Sequence, residues 1–225
     1  RGPRSFAAAA SIRIPELPRG RARDLAHPTH RDRGLRRSET FTVWRLAASQ
    51  PSLVPVGVLV AILVLLSWAA TLVWLLEQGV QSLLVSPVLL FLAVLLRTFL
   101  TTGLFITAHD AMHRSVSRNR HLNDLTGALA TFLFAGMSYR RLVLNHGRHH
   151  AHPASHDDPD YFDESPRFWR WFFSFMKRYT TVSQVIVMAG LYNVLRLRYD
   201  DLTLWSFWAG PALLASLQLF TFGTY

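Results

Sequence analysis

Apolar and polar residues fall into long blocks along this chain. After Gln50-Pro51 the sequence is apolar from Leu53 to Leu76, and residues 52–76 carry no charge. A run of that length can cross a bilayer core, which takes about 20 apolar residues. The polar turn Glu77-Gln78-Gly79 follows, and a second apolar segment from Leu83 to about Thr107 leads directly into His109. At ~1.5 Å per residue, the ~26 residues from Leu83 to His109 reach about 39 Å, which sets His109 just past the membrane face. A third run, Leu125 to Tyr139, is shorter and contains Gly127 and Gly136; Arg118 and Arg120 precede it, and Arg140 and Arg141 close it. Cations at both ends predict a segment that dips into the membrane or lies in it without crossing. Residues 167–179 interleave aromatic rings with Arg167, Arg170, Lys177 and Arg178, the composition of a helix at the headgroup boundary. Val182–Leu195 and Leu204–Phe222 then predict a helical hairpin around the polar turn Arg196–Asp201. The pattern predicts an all-α integral membrane fold with about four transmembrane helices.

Charge adds an orientation. Half of the residues are apolar, yet the net charge is +10, because the charge is segregated. Residues 1–48 hold eleven arginines against four acids. This divides the chain into a basic segment, 1–48, expected to be a disordered tail, and a membrane domain, 49–225. A basic flank before the first span and no basic residue in the first turn predict a cytosolic N-terminus, and hence a cytosolic end for the second span. No interleaved aromatic and basic groove or RNA-binding signature is present, so nucleic acid is not an expected partner. The absence of cysteine rules out disulfides, thiolate metal ligands and thiol catalysis together. The segment before Leu53 lacks the apolar core and cleavage signal of a secretory peptide, and Arg1 at the first position suggests a start inside a longer reading frame.

Eight of the ten histidines lie between positions 109 and 156. His109-Asp110-Ala111-Met112-His113 places two imidazoles four residues apart, on one face of a helix. His146-Gly147-Arg148-His149-His150 places three at i, i+3 and i+4, again on one face. Two ordered clusters, each at the cytosolic mouth of an apolar segment, point to a metal site more than to a run of surface histidines. Five imidazoles exceed what one tetrahedral zinc takes, and no glutamate stands inside either cluster as the base of a zinc peptidase. Imidazole suits zinc, copper, iron and nickel alike, so spacing yields a histidine site for more than one metal ion and leaves the metal and the reaction open.

An H-x3-H after a spanning helix, followed by H-x2-H-H, resembles the membrane fatty-acid desaturase and hydroxylase superfamily. The wording is similar to one branch of it, the bacterial-type β-carotene ketolases: Phe105 to His113, His146 to His150, the loop Asp157-Asp158-Pro159-Asp160-Tyr161, and Leu217 to Tyr225. The resemblance covers roughly residues 52–225. It implies iron ligands at His109, His113, His146, His149 and His150, two iron ions, O2 as co-substrate and an external electron donor such as a ferredoxin. The implied reaction converts the C4 methylene of a β-ionone ring, on a carotenoid taken from the lipid phase, into a ketone. His152 and His156 are either supporting or solvent-facing. Asp157, Asp158 and Asp160 either orient ligand imidazoles or form an acidic, proline-containing loop that ends a helix. Asp110 and Asn145, each beside a ligand, carry the same two readings. Arg97, inside the second span, is expected to face protein or to reach for the cytosol.

The superfamily also uses a third histidine box, and this chain has no histidine after His156; the resemblance predicts a Leu-Pro-His-Arg continuation beyond Tyr225, and so a domain cut short before that box. A fatty-acid desaturase or carotenoid hydroxylase of the same superfamily, or a non-enzymatic membrane protein with a histidine-rich metal loop, are the competing readings.

Overall fold

A computed structural model describes residues 56–162 and 167–224 of the chain. The basic segment 1–48 lies outside the described residues. Among the described residues the elements are all helical: α1 (Val56–Gln78), a 3-10 turn (Val80–Ser82), α2 (Pro87–Met112), α3 (Arg120–Ala135), α4 (Tyr139–Ala151), α5 (Phe168–Tyr179), α6 (Val182–Leu195), α7 (Asp201–Leu204), a π-helical turn (Trp205–Ala209) and α8 (Gly210–Gly223).

α1 and α2 are apolar on every side and long enough to cross a bilayer, and only 11% and 28% of their apolar windows are buried. Leu59, Leu63, Leu66 and Trp74 of α1, and Leu92, Phe99 and Ile106 of α2, stand exposed. The core helix of a soluble protein would bury such residues; these need a hydrocarbon solvent. The chain is an all-α integral membrane protein. α6 has 14 residues and covers about 21 Å, short of a bilayer core of about 30 Å. α7, the π turn and α8 follow one another without interruption from Asp201 to Gly223, and across the Arg196–Asp201 turn Tyr192 of α6 stacks on Trp208 of the π turn, with ring centroids 6.3 Å apart.

α2 is the central element, packed against α1, α3 and α8. Trp68, Leu104, Phe134, Trp208 and Ala215, one residue from each of α1, α2, α3, the π turn and α8, form the main core. The start of α2 departs from the sequence reading. Leu83, Leu84 and Val85 are apolar but form a turn after the 3-10 turn; Ser86 caps the helix by accepting the Leu89 N–H, with Pro87 at the first helical position. Proline there has no N–H to lose and a φ already set for the helix. Counted from Pro87, His109 lies about 33 Å along the axis, rather than 39 Å, and it remains inside the helix. Arg97 faces protein: it is fully buried, donating from Nε to the Phe207 carbonyl (2.9 Å) and from Nη1 to the Trp68 carbonyl (2.7 Å) and Thr71 Oγ1 (2.9 Å).

Two glycines position the helices that follow. Gly136 ends α3 at φ 65°, a left-handed conformation that costs glycine nothing, and its N–H returns to the Phe132 carbonyl. Gly127 lets the Tyr139 ring lie against α3; a Cβ there would sit 2.1 Å from Tyr139 Cε2. Together they turn the chain from α3 into α4 and bring α4 back beside the end of α2.

Candidate metal centre

α2 delivers His109 from its last turn and His113 as its C-terminal capping residue. Beyond His113 the chain reverses sharply. The Arg114 N–H bonds to the Ala111 carbonyl and the Ser115 N–H to the Asp110 carbonyl, with Arg114 at φ 58°. The buried Asn123 secures the following loop, accepting the Ser117 N–H (3.2 Å) and donating to the Asn119 carbonyl (2.9 Å). α4 then presents His146, His149 and His150 toward α2.

The five imidazoles form one cluster. His146 Nε2 faces His113 Nε2 at 2.8 Å and His150 Nε2 at 3.0 Å. Ring centroids of His109 lie 4.6 Å from His113 and 4.7 Å from His146, and His149 lies 5.8 Å from His150. His109, His113 and His146 each place a ring nitrogen within 4.8 Å of the others. Burial, with His109, His150, His113 and His149 around it, pulls His146 down to about 4, so its ring is neutral and its lone pair available at neutral pH.

A ring nitrogen that meets two others cannot satisfy both with one proton, whereas a cation at the convergence point would use all three lone pairs. Ligands at about 2.1 Å from one ion and at right angles to each other lie roughly 3.0 Å apart, against about 3.4 Å for a tetrahedral pair. His113, His146 and His150 come within the spacing that ligands of one ion require, and His109 has a ring nitrogen within 4.8 Å of those of His113 and His146.

His149 is held from its far side. Its Nδ1 lies 3.0 and 3.1 Å from the two carboxylate oxygens of Asp158, and 3.6 Å from Asp160 Oδ2. Asp158 is nearly fully buried, and it also accepts the Ala154 N–H on Oδ2 (2.8 Å) and the Asp160 N–H on Oδ1 (2.8 Å). Burial alone would raise its pKa, but those backbone N–H groups and His149 outweigh burial and hold it below the usual carboxylate range. His149, Asp158 and Asp160 could themselves group around a cation. Both Asp158 oxygens already accept N–H bonds, however, so the arrangement that keeps them is the one in which Asp158 orients His149 and leaves its Nε2 free. A carboxylate on the outer nitrogen of a ligand imidazole is the usual support of such sites.

His152, His156 and Asp157 are exposed, and Asn145 is half-buried on α4. Asp110 is exposed, with a carboxylate oxygen 3.8 Å from His109 Nδ1, beyond hydrogen-bond range. Of the three loop acids, Asp158 and Asp160 face the site, and Asp157 faces away.

Sequence reasoning missed what holds that loop. Arg178, on α5, reaches with Nη1 to the carbonyls of Tyr161 (2.7 Å), Pro159 (3.2 Å) and Asp158 (3.4 Å). Tyr179 donates its hydroxyl to Asp160 Oδ1, and Trp171 Nε1 donates to the Asp160 carbonyl (2.8 Å). Burial raises the pKa of Asp160 even with the Tyr179 hydroxyl on it, and burial followed by Asp160 raises that of Tyr179. In the sequence these residues read as an interfacial helix, and that composition hid their contacts with the loop.

The β-carotene ketolase of Paracoccus sp. (strain PC1) is 39% identical over 167 residues, covering 72% of this chain and 66% of the relative. The zeaxanthin 4-ketolase of Chlamydomonas reinhardtii is 42% identical over 130 residues, 56% of this chain and 29% of the relative. An sn-1 oleoyl-lipid 12-desaturase of Picosynechococcus sp. is 36% identical over 100 residues, 40% of this chain and 28% of the relative. The chain thus spans less than two thirds of the length of these relatives. No solved structure matches it. The family model for fatty acid desaturases matches residues 85–225, a stretch that contains all five clustered histidines and the loop that supports them, and the chain belongs to the fatty acid desaturase family.

Proposed function

We propose that this chain belongs to an oxidoreductase of carotenoid biosynthesis that uses two irons and O2 to oxidise C4 of a β-carotene-type ring to a ketone. The observation that carries the reading is the convergence of His109, His113, His146, His149 and His150 at one end of an apolar, lipid-exposed helix. The similarity to proteins named β-carotene ketolase and zeaxanthin 4-ketolase supports the substrate class. Iron bound by these imidazoles would supply the activation of O2. Each of two hydroxylations at one carbon consumes an O2, two electrons and two protons, releases one water and inserts one oxygen atom; the geminal diol then loses water. The electrons come from a separate carrier protein of the ferredoxin class.

The chain's own part is placement. Exposed Leu92, Phe99 and Ile106 form an apolar stripe along α2, and His109 follows three residues after Ile106, one helical turn on. A carotenoid in the bilayer can follow that stripe with its ring edge toward the histidines, which explains why a metal site sits at the membrane surface. Asp158 fixes the His149 tautomer, and Asn123 and the reversal at Arg114 hold His113 beside His146.

Expression of the full gene in a host that accumulates β-carotene tests the reading. The expected result is 4-keto product, iron in the purified protein, and loss of the 4-keto product with His109→Ala or His149→Ala while membrane insertion persists. Unsaturated lipids or 3-hydroxy carotenoids in place of 4-keto products would move the activity to another member of the superfamily. Zinc or copper in the protein with no O2 consumption would make it a metal-binding protein of another kind.

A further inference from the structure

We propose that α5 is a positioning element of the metal centre, with Arg178 and Tyr179 holding the Asp158–Tyr161 loop so that Asp158 presents His149 to the metal. The inference rests on the metal reading of the histidine cluster. It adds residues some 20–30 positions beyond the second cluster, on a helix that supplies no ligand.

The contacts run in series. Tyr179 donates to the Asp160 carboxylate, the Asp160 N–H donates to Asp158 Oδ1 (2.8 Å), and Asp158 receives His149 Nδ1 at 3.0 Å. Arg178 adds a second hold, because one guanidinium nitrogen gathers three carbonyls of the same short loop. Trp171 adds a third through the Asp160 carbonyl. The described bonds within the loop itself are local: the Asp158 N–H to the Ser155 carbonyl (3.1 Å), the Tyr161 N–H to the Asp158 carbonyl (3.3 Å) and Ser155 Oγ to the His152 carbonyl (2.8 Å).

A clamp is only as good as its own anchorage, and α5 is anchored. The rings of Phe168, Trp171, Phe172 and Phe175 all pack on Phe220 of α8, with centroids 5.3, 6.1, 5.3 and 5.4 Å away, and Phe220 is fully buried. Arg141 of α4 also donates to the Arg178 carbonyl (3.2 Å), which ties the end of α5 to the helix that bears the ligands. A helix docked to the bundle therefore sets the position of the loop, and the loop sets the imidazole. Groups that orient metal ligands commonly contribute 10–100-fold to metal affinity when removed.

The test uses the whole protein in nanodiscs, titrated with Co2+ and read by visible absorption, with ketone formation measured in parallel. Tyr179→Phe and Arg178→Gln are expected to weaken Co2+ binding about 10-fold, with Arg178→Lys between them and the parent chain. Glu77→Gln, at the other end of α1, should leave the affinity unchanged. In a His149→Ala background, Tyr179→Phe and Arg178→Gln should cause no further loss, because their effect passes through His149. Unchanged Co2+ affinity in Tyr179→Phe and Arg178→Gln overturns the proposal. So does an equal loss with and without His149, which would mark a general loss of structure. If the parent chain binds Co2+ in this pattern but makes no ketone, the ketolase reading falls and the positioning role stands. If the parent chain binds no Co2+, both fall.

Discussion

Arg114 is one of two non-glycine residues with positive φ among the described residues, and it stands where α2 must stop for His113 to meet His146. The two hydrogen bonds around it, Arg114 N–H to Ala111 and Ser115 N–H to Asp110, are those of a helix end that glycine usually supplies. A β-carbon in the left-handed region costs roughly 1–2 kcal/mol. Arg114→Gly should therefore stabilise the metal-loaded protein by a few tenths to about 1 kcal/mol, after the extra freedom of glycine in the unfolded chain is deducted. Arg114→Val should destabilise it, and thermal unfolding in detergent reads both. A lower unfolding temperature for the glycine variant than for the valine variant would contradict this account. The same residue shows what the sequence hides. The histidine clusters are legible because i, i+3 and i+4 spacing is a property of one helix. The stop after His113 is not, since no glycine announces it. Nor does order in the loop separate Asp158 from Asp157: the choice is made by the Ala154 and Asp160 N–H groups and by Tyr179, which comes 19 residues after Asp160.

Among the elements, the π-helical turn at Trp205–Ala209 depends on a residue of another helix. Pro211 has no N–H, so the carbonyl of Phe207, four residues earlier, loses the partner that a regular helix would give it. Arg97 Nε supplies one at 2.9 Å, while its Nη1 takes the Trp68 carbonyl and Thr71, and the guanidinium lies 4.9 Å from the centroid of the Trp68 ring. Inside a membrane-spanning bundle a carbonyl left without a partner is costly, and Arg97 supplies one there, although its own Nη2 is buried without a hydrogen-bond partner. Arg97→Met should destabilise the bundle by about 1–3 kcal/mol. Adding Pro211→Ala, which restores an N–H near Phe207, should recover about 1 kcal/mol of that loss. Additive effects in thermal unfolding would separate the two residues. At this scale the apolar runs gave away the long helices, and the cost of a charge in lipid left Arg97 two choices, protein or cytosol, of which the structure takes the first. The first residues of α2 were misread because hydropathy counts Leu83–Val85 with the helix; the Ser86-Pro87 pair is the signal that marks the true start.

Over the whole of the described molecule, the two ends differ in chemistry. At one end the turn after α6 returns to the end of α1. Arg198 pairs with Glu77 (3.0 Å), Tyr199 donates to it (2.6 Å), Arg196 pairs with Asp201 (2.8 Å), and the Val80 N–H bonds to Thr203 Oγ1 (2.9 Å). Both arginines there face carboxylates. At the other end lie the histidines, with Arg114, Arg118, Arg120, Arg140, Arg141 and Arg148 on α2, α3, α4 and their connections. That end also holds the start of α1, where a β-carbon on Gly57 would lie 2.7 Å from the Val116 carbonyl, and the eleven arginines of residues 1–48 precede α1 in sequence. Cations near the ends of spans are retained on the cytosolic side, so we expect the histidine end to be cytosolic and the turn between α1 and α2 to face the opposite side. The absence of cysteine from the chain makes this directly measurable. Gly147→Cys has open space around its new side chain, with nothing within 4 Å of the β-carbon, and Gln81→Cys lies on the exposed turn at the far end. A membrane-impermeant maleimide should label position 81 in intact cells and position 147 only in inverted vesicles. Labelling of position 147 from outside would reverse the orientation.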